Sequence, residues 1–251
     1  MHGTALRSYR RRMTIQQPSN LGLSSKRSGR EIQAIGAVAG MIGPILFTLG
    51  FVVQGLFRRA QYDPIAETVS ALEAGPNGWI QQLNFLVFAT LMMIFGAGLG
   101  AGLRTGRRSI GSAVVGFWGV GLLGAGLFPL REDFAGQTYD PTGVHQPIGA
   151  VFFLSTWVGL AVLSWCLRPD PRWRGLARYT LLTSGALAVL FLVMAALAIS
   201  SSAPLHPWAG LIQRLVLAVW FPCLVALAVR LLQVSRSSSA MPVAEHTVSV
   251  V

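Results

Sequence analysis

Six long apolar runs constrain this chain more than any other feature of its sequence. Their approximate bounds are 33–57, 80–103, 109–130, 147–167, 179–200 and 209–233. A helix of about 20 apolar residues crosses the hydrocarbon core of a bilayer, and each run reaches that length. Only 12% of the 251 residues are charged, against about a quarter in ordinary soluble domains. The sequence therefore predicts an all-α fold, a polytopic membrane bundle of six transmembrane helices.

Charged residues predict the orientation and the limits of this bundle. Short cytoplasmic loops are enriched in Lys and Arg, and 16 of the 20 basic residues fall on the side of the two termini. We therefore expect both termini in the cytoplasm and the chain in the cell membrane as a multi-pass protein. Residues 1–32 and 234–251 lack apolar periodicity and are predicted as disordered tails of a transmembrane domain at 33–233.

The net charge of +11 raises the question of the binding partner. The basic residues follow the membrane edges and the N-terminal tail, and no nucleic-acid-binding motif accompanies them. Attraction to anionic lipids explains them better, so we expect membrane lipids as partners and no nucleic acid. Small-xxx-small faces predict close helix packing, within the chain or in a homo-oligomer. They contain the glycines Gly36, Gly40, Gly96, Gly98, Gly100 and Gly102.

Acidic residues gather on the predicted outer side. Six of the nine lie in the first two outer loops, namely Asp63, Glu67, Glu73, Glu132, Asp133 and Asp140. The stretch REDFAGQTYDPTGVHQP, residues 131–147, holds three of them together with His145, and the third outer loop adds His206. This clustering predicts a polar pocket that is open to the outer leaflet.

The first outer loop contains a candidate nucleophile. Asp63 and Asp140 each precede a proline, which is typical of a helix start with an Asp cap. A short helix after Asp63 would place Glu67 and Ser70 three residues apart on one face. They are candidates for a base and a nucleophile, or for a polar lining that holds a ligand headgroup. Alternatively, Ser70 bonds to the local backbone and Glu67 meets solvent or an arginine.

Asp133 and His145 lie where the third run ends and the fourth begins. An Asp beside a His can orient the imidazole for catalysis, or the two can share a metal. A loop-ordering hydrogen bond is the equally weighted alternative. A metal site would require Asp133, His145 and His206 to converge. Since no H-E-x-x-H or comparable spacing exists, we predict no metal and no cofactor.

Arg214 lies a few residues inside the sixth run, where a charge is costly and usually paired. It is a candidate for pairing with the outer acids. It could equally reach the membrane interface with its long side chain, or bind a phosphate or carboxylate headgroup through its planar guanidinium. We include Glu67, His206 and Arg214 as candidate ligand-binding residues, and Ser70, Asp133 and His145 as candidate catalytic residues.

Four motifs appear in a fixed order along the chain: YDPIAETVSALEAGPNGWIQQL, GLFPLREDF, GVHQPIGAVFFL and GLIQRL. Over about residues 33–232 the sequence resembles the prokaryotic six-helix membrane proteins called the domain of unknown function 998 family. The resemblance implies the six-helix fold and does not define an activity. The family's acid after Phe-Pro corresponds to either Glu132 or Asp133.

Three functions follow as hypotheses. The first is that the outer pocket binds a lipid or amphiphile headgroup, with Arg214 on an anionic group and His145 and Asp133 setting its orientation. The second is a membrane-embedded lipid hydrolase or transferase that uses Ser70, Asp133 and His145. The third is a structural or partner-binding membrane protein. The absence of ionisable residues in the middle of the runs argues against proton-coupled transport.

Overall fold

The computed structural model describes residues 20–199 and 206–237, with side chains for 28–196 and 207–237. Its six α-helices are α1 (Asn20–Phe57), α2 (Trp79–Gly102), α3 (Arg108–Leu127), α4 (His145–Leu167), α5 (Arg174–Ile199) and α6 (Ala209–Ser237). Each is long and apolar enough to cross a membrane. The predicted fold class is therefore confirmed, and the chain is a multi-pass membrane protein.

The helices form a closed ring. Each helix packs against the next one in the chain, and α6 returns to α1 and also touches α2. An even number of crossings places the start of α1 and the end of α6 at the same end of the bundle, the terminal end. We call the opposite end, where α1, α3 and α5 finish, the loop end. Pro44 lies inside α1 and Pro222 lies inside α6.

Aromatic side chains fill the middle of the ring. The Trp220 ring of α6 lies with its centroid 5.5 Å from both Trp118 of α3 and Phe152 of α4, and 6.2 Å from Phe88 of α2. All four side chains are buried. Edge-to-face packing of this kind adds specific geometry to a large apolar contact area, so Trp220 joins three other helices at one point.

Glycines allow the helices to approach closely, as the sequence predicted. A Cβ built on Gly36 of α1 would lie 2.6 Å from the Gly98 Cα of α2, a distance that leaves no room for a side chain. The other four predicted glycines also face atoms of this chain, with a built Cβ 2.4–3.0 Å from the nearest. These faces are therefore used in packing within the chain, and the homo-oligomer stays a prediction.

A polar clamp joins the connections at the terminal end. The Asp170 carboxylate accepts hydrogen bonds from the Arg172 Nε at 2.9 Å and from the Arg104 backbone N–H at 3.4 Å. Arg172 in turn donates to the Gly102 carbonyl, and its own carbonyl accepts from Arg230 of α6. The hydrogen bonds from Arg172 hold the pKa of Asp170 below its usual value. The clamp thus ties the connection between α4 and α5 to α2 and α6.

Short elements cover the loop end. A 3-10 helix, Val69–Glu73, lies between α1 and α2. A β-hairpin with two residues in each strand, β1 (Arg131–Glu132) and β2 (Thr138–Tyr139), lies between α3 and α4. The predicted helix after Asp63 is replaced by turns, and the Asp63 carboxylate accepts from the Ile65 N–H at 2.9 Å. The prediction of a helix beginning at Asp63 was therefore wrong, because regular structure starts only at Val69.

Candidate functional site

A cavity opens into the loop end of the bundle. It is narrow: the space open to the centre of a water-sized group is about 40 Å³, although the empty space out to its open mouth totals about 480 Å³. Five of the six helices and the 3-10 helix form its wall. The apolar lining comprises Phe47, Val69, Phe85, Phe88, Gly121, Leu122, Ala125, Gly149, Phe152, Phe153, Leu217 and Trp220. Trp220 is the twelfth residue of α6, so the cavity reaches roughly 16 Å down that helix at 1.5 Å per residue.

Three polar residues complete the lining: Ser70, His145 and Gln213. Ser70 is part of the 3-10 helix, His145 is the first residue of α4, and Gln213 lies in the first turns of α6. All three elements meet at the loop end, so the polar groups lie near the mouth and the aromatic side chains lie deeper. The structure thus brings together the predicted residues Ser70 and His145, and adds Gln213.

His145 is held from behind by an acid and a carbonyl. Its Nδ1 lies 2.9 Å from the Phe128 carbonyl oxygen and 3.4 Å from Glu73 Oε2. Because a carbonyl can only accept, Nδ1 carries the proton in this bond, which leaves Nε2 as the second ring nitrogen. The His145 side chain is only 6% exposed, so its orientation is well fixed.

Glu73 is the acid beside His145. Its side chain is fully buried, and Oε2 accepts a hydrogen bond from the Leu130 N–H at 3.3 Å. Burial raises the pKa of Glu73 to about 8, although the Leu130 N–H and Arg131 act in the opposite direction. Its other oxygen, Oε1, has no hydrogen-bond partner within the described part of the chain. Glu73 and His145 are therefore neighbouring buried groups, while the Nδ1 proton is donated to the Phe128 carbonyl.

Asp133 is not the partner of His145. Its carboxylate accepts from the N–H groups of Ala135 and Gln137, at 2.9 and 2.8 Å, and shapes the turn of the exposed hairpin. The predicted orientation of His145 by Asp133 was therefore wrong, while the alternative of a loop-ordering hydrogen bond is confirmed. The physical reason is the hairpin, which satisfies Asp133 locally and directs it toward solvent.

Arg214 lies outside the cavity and clasps the first loop to α6. Its Nη1 donates to the carbonyls of Pro64 at 2.6 Å, Glu67 at 3.0 Å and Gly210 at 3.0 Å. Its Nη2 donates to the Tyr62 hydroxyl. The expected pairing with outer acids is thus replaced by hydrogen bonds to neutral oxygens, and Arg214 does not meet Ser70 or His145 in the cavity.

Backbone groups reinforce this clasp. The first N–H groups of α6, of Gly210 and Leu211, donate to the carbonyls of Ala66 and Ile65 at 3.3 and 2.9 Å. The loop therefore supplies acceptors that the start of a helix otherwise lacks. A Cβ on Gly210 would lie 2.1 Å from the Glu67 carbonyl oxygen, so this approach requires glycine.

The remaining predicted residues have separate positions. Glu67 is half-buried outside the cavity lining, and burial is the main cause that raises the pKa of its carboxyl. Asp140 accepts from the Gln146 N–H in the first turn of α4 at 3.0 Å, but the helix begins at His145, so the predicted helix start at Asp140 was wrong. His206 begins a short 3-10 helix before α6, and its side chain lies outside the described residues. Glu67 and Ser70 thus do not form the predicted pair.

Sequence reasoning missed the roles of Glu73 and Gln213. Glu73 was counted only as one acid of the outer face, and nothing in its spacing relates it to His145. Gln213 belongs to the GLIQRL motif, and the similar sequence GWIQQL lies at the start of α2. A glutamine repeated at the start of two apolar helices was the available signal, because such a residue needs polar partners near the membrane edge.

The order of motifs and the six helices agree with a match to a known family. Residues 41–230 match the family described as Protein of unknown function (DUF998). The chain belongs to the DUF998 family. Its matched region begins within α1 and ends within α6, and so includes every residue of the cavity wall. No curated protein and no solved structure matches the chain.

Proposed function

We propose that this DUF998 protein binds a single amphiphile in the loop-end cavity. The acyl chain packs among the phenylalanines and Trp220, and the polar end of the molecule lies beside Ser70, His145 and Gln213. The asymmetry of basic residues supports an orientation in which this cavity faces the outer leaflet of the cell membrane, with both termini in the cytoplasm.

One observation carries the proposal: the cavity is lined by twelve apolar residues and three polar ones, and the polar ones come from elements that meet at the loop end. Binding pockets for small molecules have this composition, mainly apolar with a few oriented polar groups. Trp220 adds an indole N–H that is buried without a partner among the described residues. Such donors usually meet an acceptor, so a ligand or water in the cavity would satisfy it.

Filling the cavity tests the proposal. A Cβ built on Gly149 meets no heavy atom within 4 Å, so Gly149→Leu should fold while its side chain occupies the cavity. We expect binding of single-chain amphiphiles to weaken at least about tenfold. The measurement is a native mass spectrometry titration of detergent-purified protein with oleic acid, oleoylglycerol and oleoyl lysophosphatidylglycerol.

The matched control is Gly185→Leu on α5, where a Cβ also meets open space but not the cavity. This variant should bind like the wild type. Absence of binding by the wild type to all three amphiphiles would reject the proposal, as would equal binding by the wild type and Gly149→Leu.

A second candidate function is a lipid hydrolase or transferase, which the contact of Glu73 with His145 favours. In this reaction the Ser70 oxygen attacks an acyl carbonyl and its proton passes to Nε2 of His145. The leaving alcohol then takes that proton, and water or another alcohol releases the acyl group from Ser70 by the same steps in reverse. Glu73 would hold the imidazole in position.

Turnover distinguishes this candidate from simple binding. We expect a 4-nitrophenyl ester of a long-chain fatty acid to be cleaved by the wild type and not by Ser70→Ala or His145→Ala. Asp133→Ala is the control, because its carboxylate lies in the hairpin and should leave turnover unchanged. Cleavage that survives in Ser70→Ala would contradict the role of Ser70 as nucleophile.

A further inference from the structure

The cavity wall has no cationic side chain. None of its fifteen lining residues is Lys or Arg. Two basic residues at this end of the bundle are committed elsewhere, since Arg58 donates to the carbonyls of Leu72 and Ala74 and Arg214 holds the loop. A third, Arg131, acts on Glu73 from the exposed hairpin and does not line the cavity. Glu73 is protonated below its pKa of about 8, so it adds no charge beside His145. An isolated anionic headgroup would therefore be buried here without a counter-charge, which is costly.

Gln213 has a fixed amide orientation. The Val69 N–H lies 2.6 Å from Gln213 Oε1. A backbone N–H can only donate, so the oxygen of the amide must face Val69 and the NH2 group must occupy the other position. Gln213 is 6% exposed and lines the cavity. Its NH2 group has no hydrogen-bond partner in the described part of the chain.

From this arrangement we infer that Gln213 donates its amide N–H to a carbonyl oxygen of the bound amphiphile. The ligand class is thus a neutral acyl ester or acyl amide. This inference rests on the proposed amphiphile binding and specifies its ligand, replacing the anionic headgroup that the sequence suggested for Arg214. Ser70, which follows Val69 directly, and His145 also line the cavity.

The same geometry gives Gln213 a role in the second candidate function. Attack by Ser70 on the carbonyl would develop negative charge on its oxygen, and a preoriented N–H donor stabilises such an oxyanion. Because Val69 fixes the amide and precedes Ser70, one contact positions both the donor and the serine. Gln213 would therefore select the substrate even if no reaction follows.

A competition between two ligands that differ only in the carbonyl tests the inference. The probes are 1-oleoylglycerol, an ester, and 1-O-oleylglycerol, the ether without the carbonyl. Mixed at equal concentration with the detergent-purified protein, they are counted in one native mass spectrum because their masses differ. We expect the wild type to bind the ester about fivefold more than the ether, the effect of one ordinary hydrogen bond.

Gln213 variants should remove this preference without removing binding. Gln213→Glu keeps an acceptor for Val69 and loses the NH2 group, while Gln213→Met loses both. In each we expect an ester-to-ether ratio near one, with ether binding retained. Gln146→Glu is the control, since Gln146 is an exposed glutamine at the same end of the bundle that does not line the cavity, and its replacement should leave the ratio unchanged.

The results of this competition separate the inference about Gln213 from the proposed function. Equal binding of ester and ether by the wild type would overturn the inference and leave the proposed function intact, as would binding of lysophosphatidylglycerol alone. Preference for the ester that persists in both Gln213 variants would also overturn it. If no amphiphile binds the wild type, the proposed function fails first. Should the variants fail to fold, the comparison in the wild type still decides whether the carbonyl is recognised.

Discussion

Arg214→Met should lower the free energy of unfolding by about 4 kcal/mol, since hydrogen bonds from a charged group contribute about 1.5–3 kcal/mol each and do not add fully. The guanidinium donates to the carbonyls of Pro64, Glu67 and Gly210 and to the Tyr62 hydroxyl. Methionine preserves much of the side-chain length and removes every donor. Unfolding by SDS in mixed micelles, followed by circular dichroism, measures the change.

Arg59→Met is the matched control for this variant. Arg59 lies in the same region and has the same charge, but its side chain is exposed and makes no hydrogen bond like those of Arg214 within the described part of the chain. We expect a change within about 0.5 kcal/mol, as for other surface substitutions. Equal stability of Arg214→Met and Arg59→Met would show that the clasp does not hold the loop.

Stability should fall by about 4 kcal/mol between pH 5 and pH 9 because of Glu73. Its pKa is about 8 in the folded protein, against 4.5 for the free side chain. Between these values the folded state keeps a proton that the unfolded state has lost, so stability decreases as the pH rises. Below pH 4.5 and above pH 8 the contribution of this group no longer changes. Each unit of difference between the folded and unfolded pKa values corresponds to about 1.4 kcal/mol of stability.

Glu73→Gln should remove this pH dependence and make the protein more stable than the wild type at pH 9. Glutamine keeps the shape of the side chain and an oxygen for the Leu130 N–H. Melting curves of both proteins at pH 5, 7 and 9 test the expectation, with Glu132→Gln in the exposed hairpin as the control. A wild type whose melting temperature rises from pH 5 to pH 9 would contradict a raised pKa for Glu73.

The sequence predicted the helices well because the bilayer imposes one rule on every span. Length and apolar content alone decide whether a segment can cross, and they placed all six helices within a few residues, apart from longer starts of α1 and α5. Gly36 and Gly98 were also predictable, because small residues at helical spacing have a single common use in membranes.

The site was less predictable because its contacts join distant loops. Asp133 is twelve residues from His145 and was its predicted partner. The hairpin of β1 and β2, however, supplies hydrogen bonds to the Asp133 carboxylate locally. Glu73 is 72 residues from His145, and only the path of the 3-10 helix over the bundle brings them together. No periodic pattern in the sequence encodes that path, whereas the hydropathy of the spans encodes the helices.

The contacts of the first loop also fix an order of assembly. Val69 bonds to Gln213, and the carbonyls of residues 64–67 accept from the first turns of α6. During synthesis this loop emerges with the first helices, while its partners are the last to be made. The wall that carries Ser70 therefore cannot reach its final place until the sixth helix has inserted, so a nascent chain has no competent cavity before its last span is in the membrane.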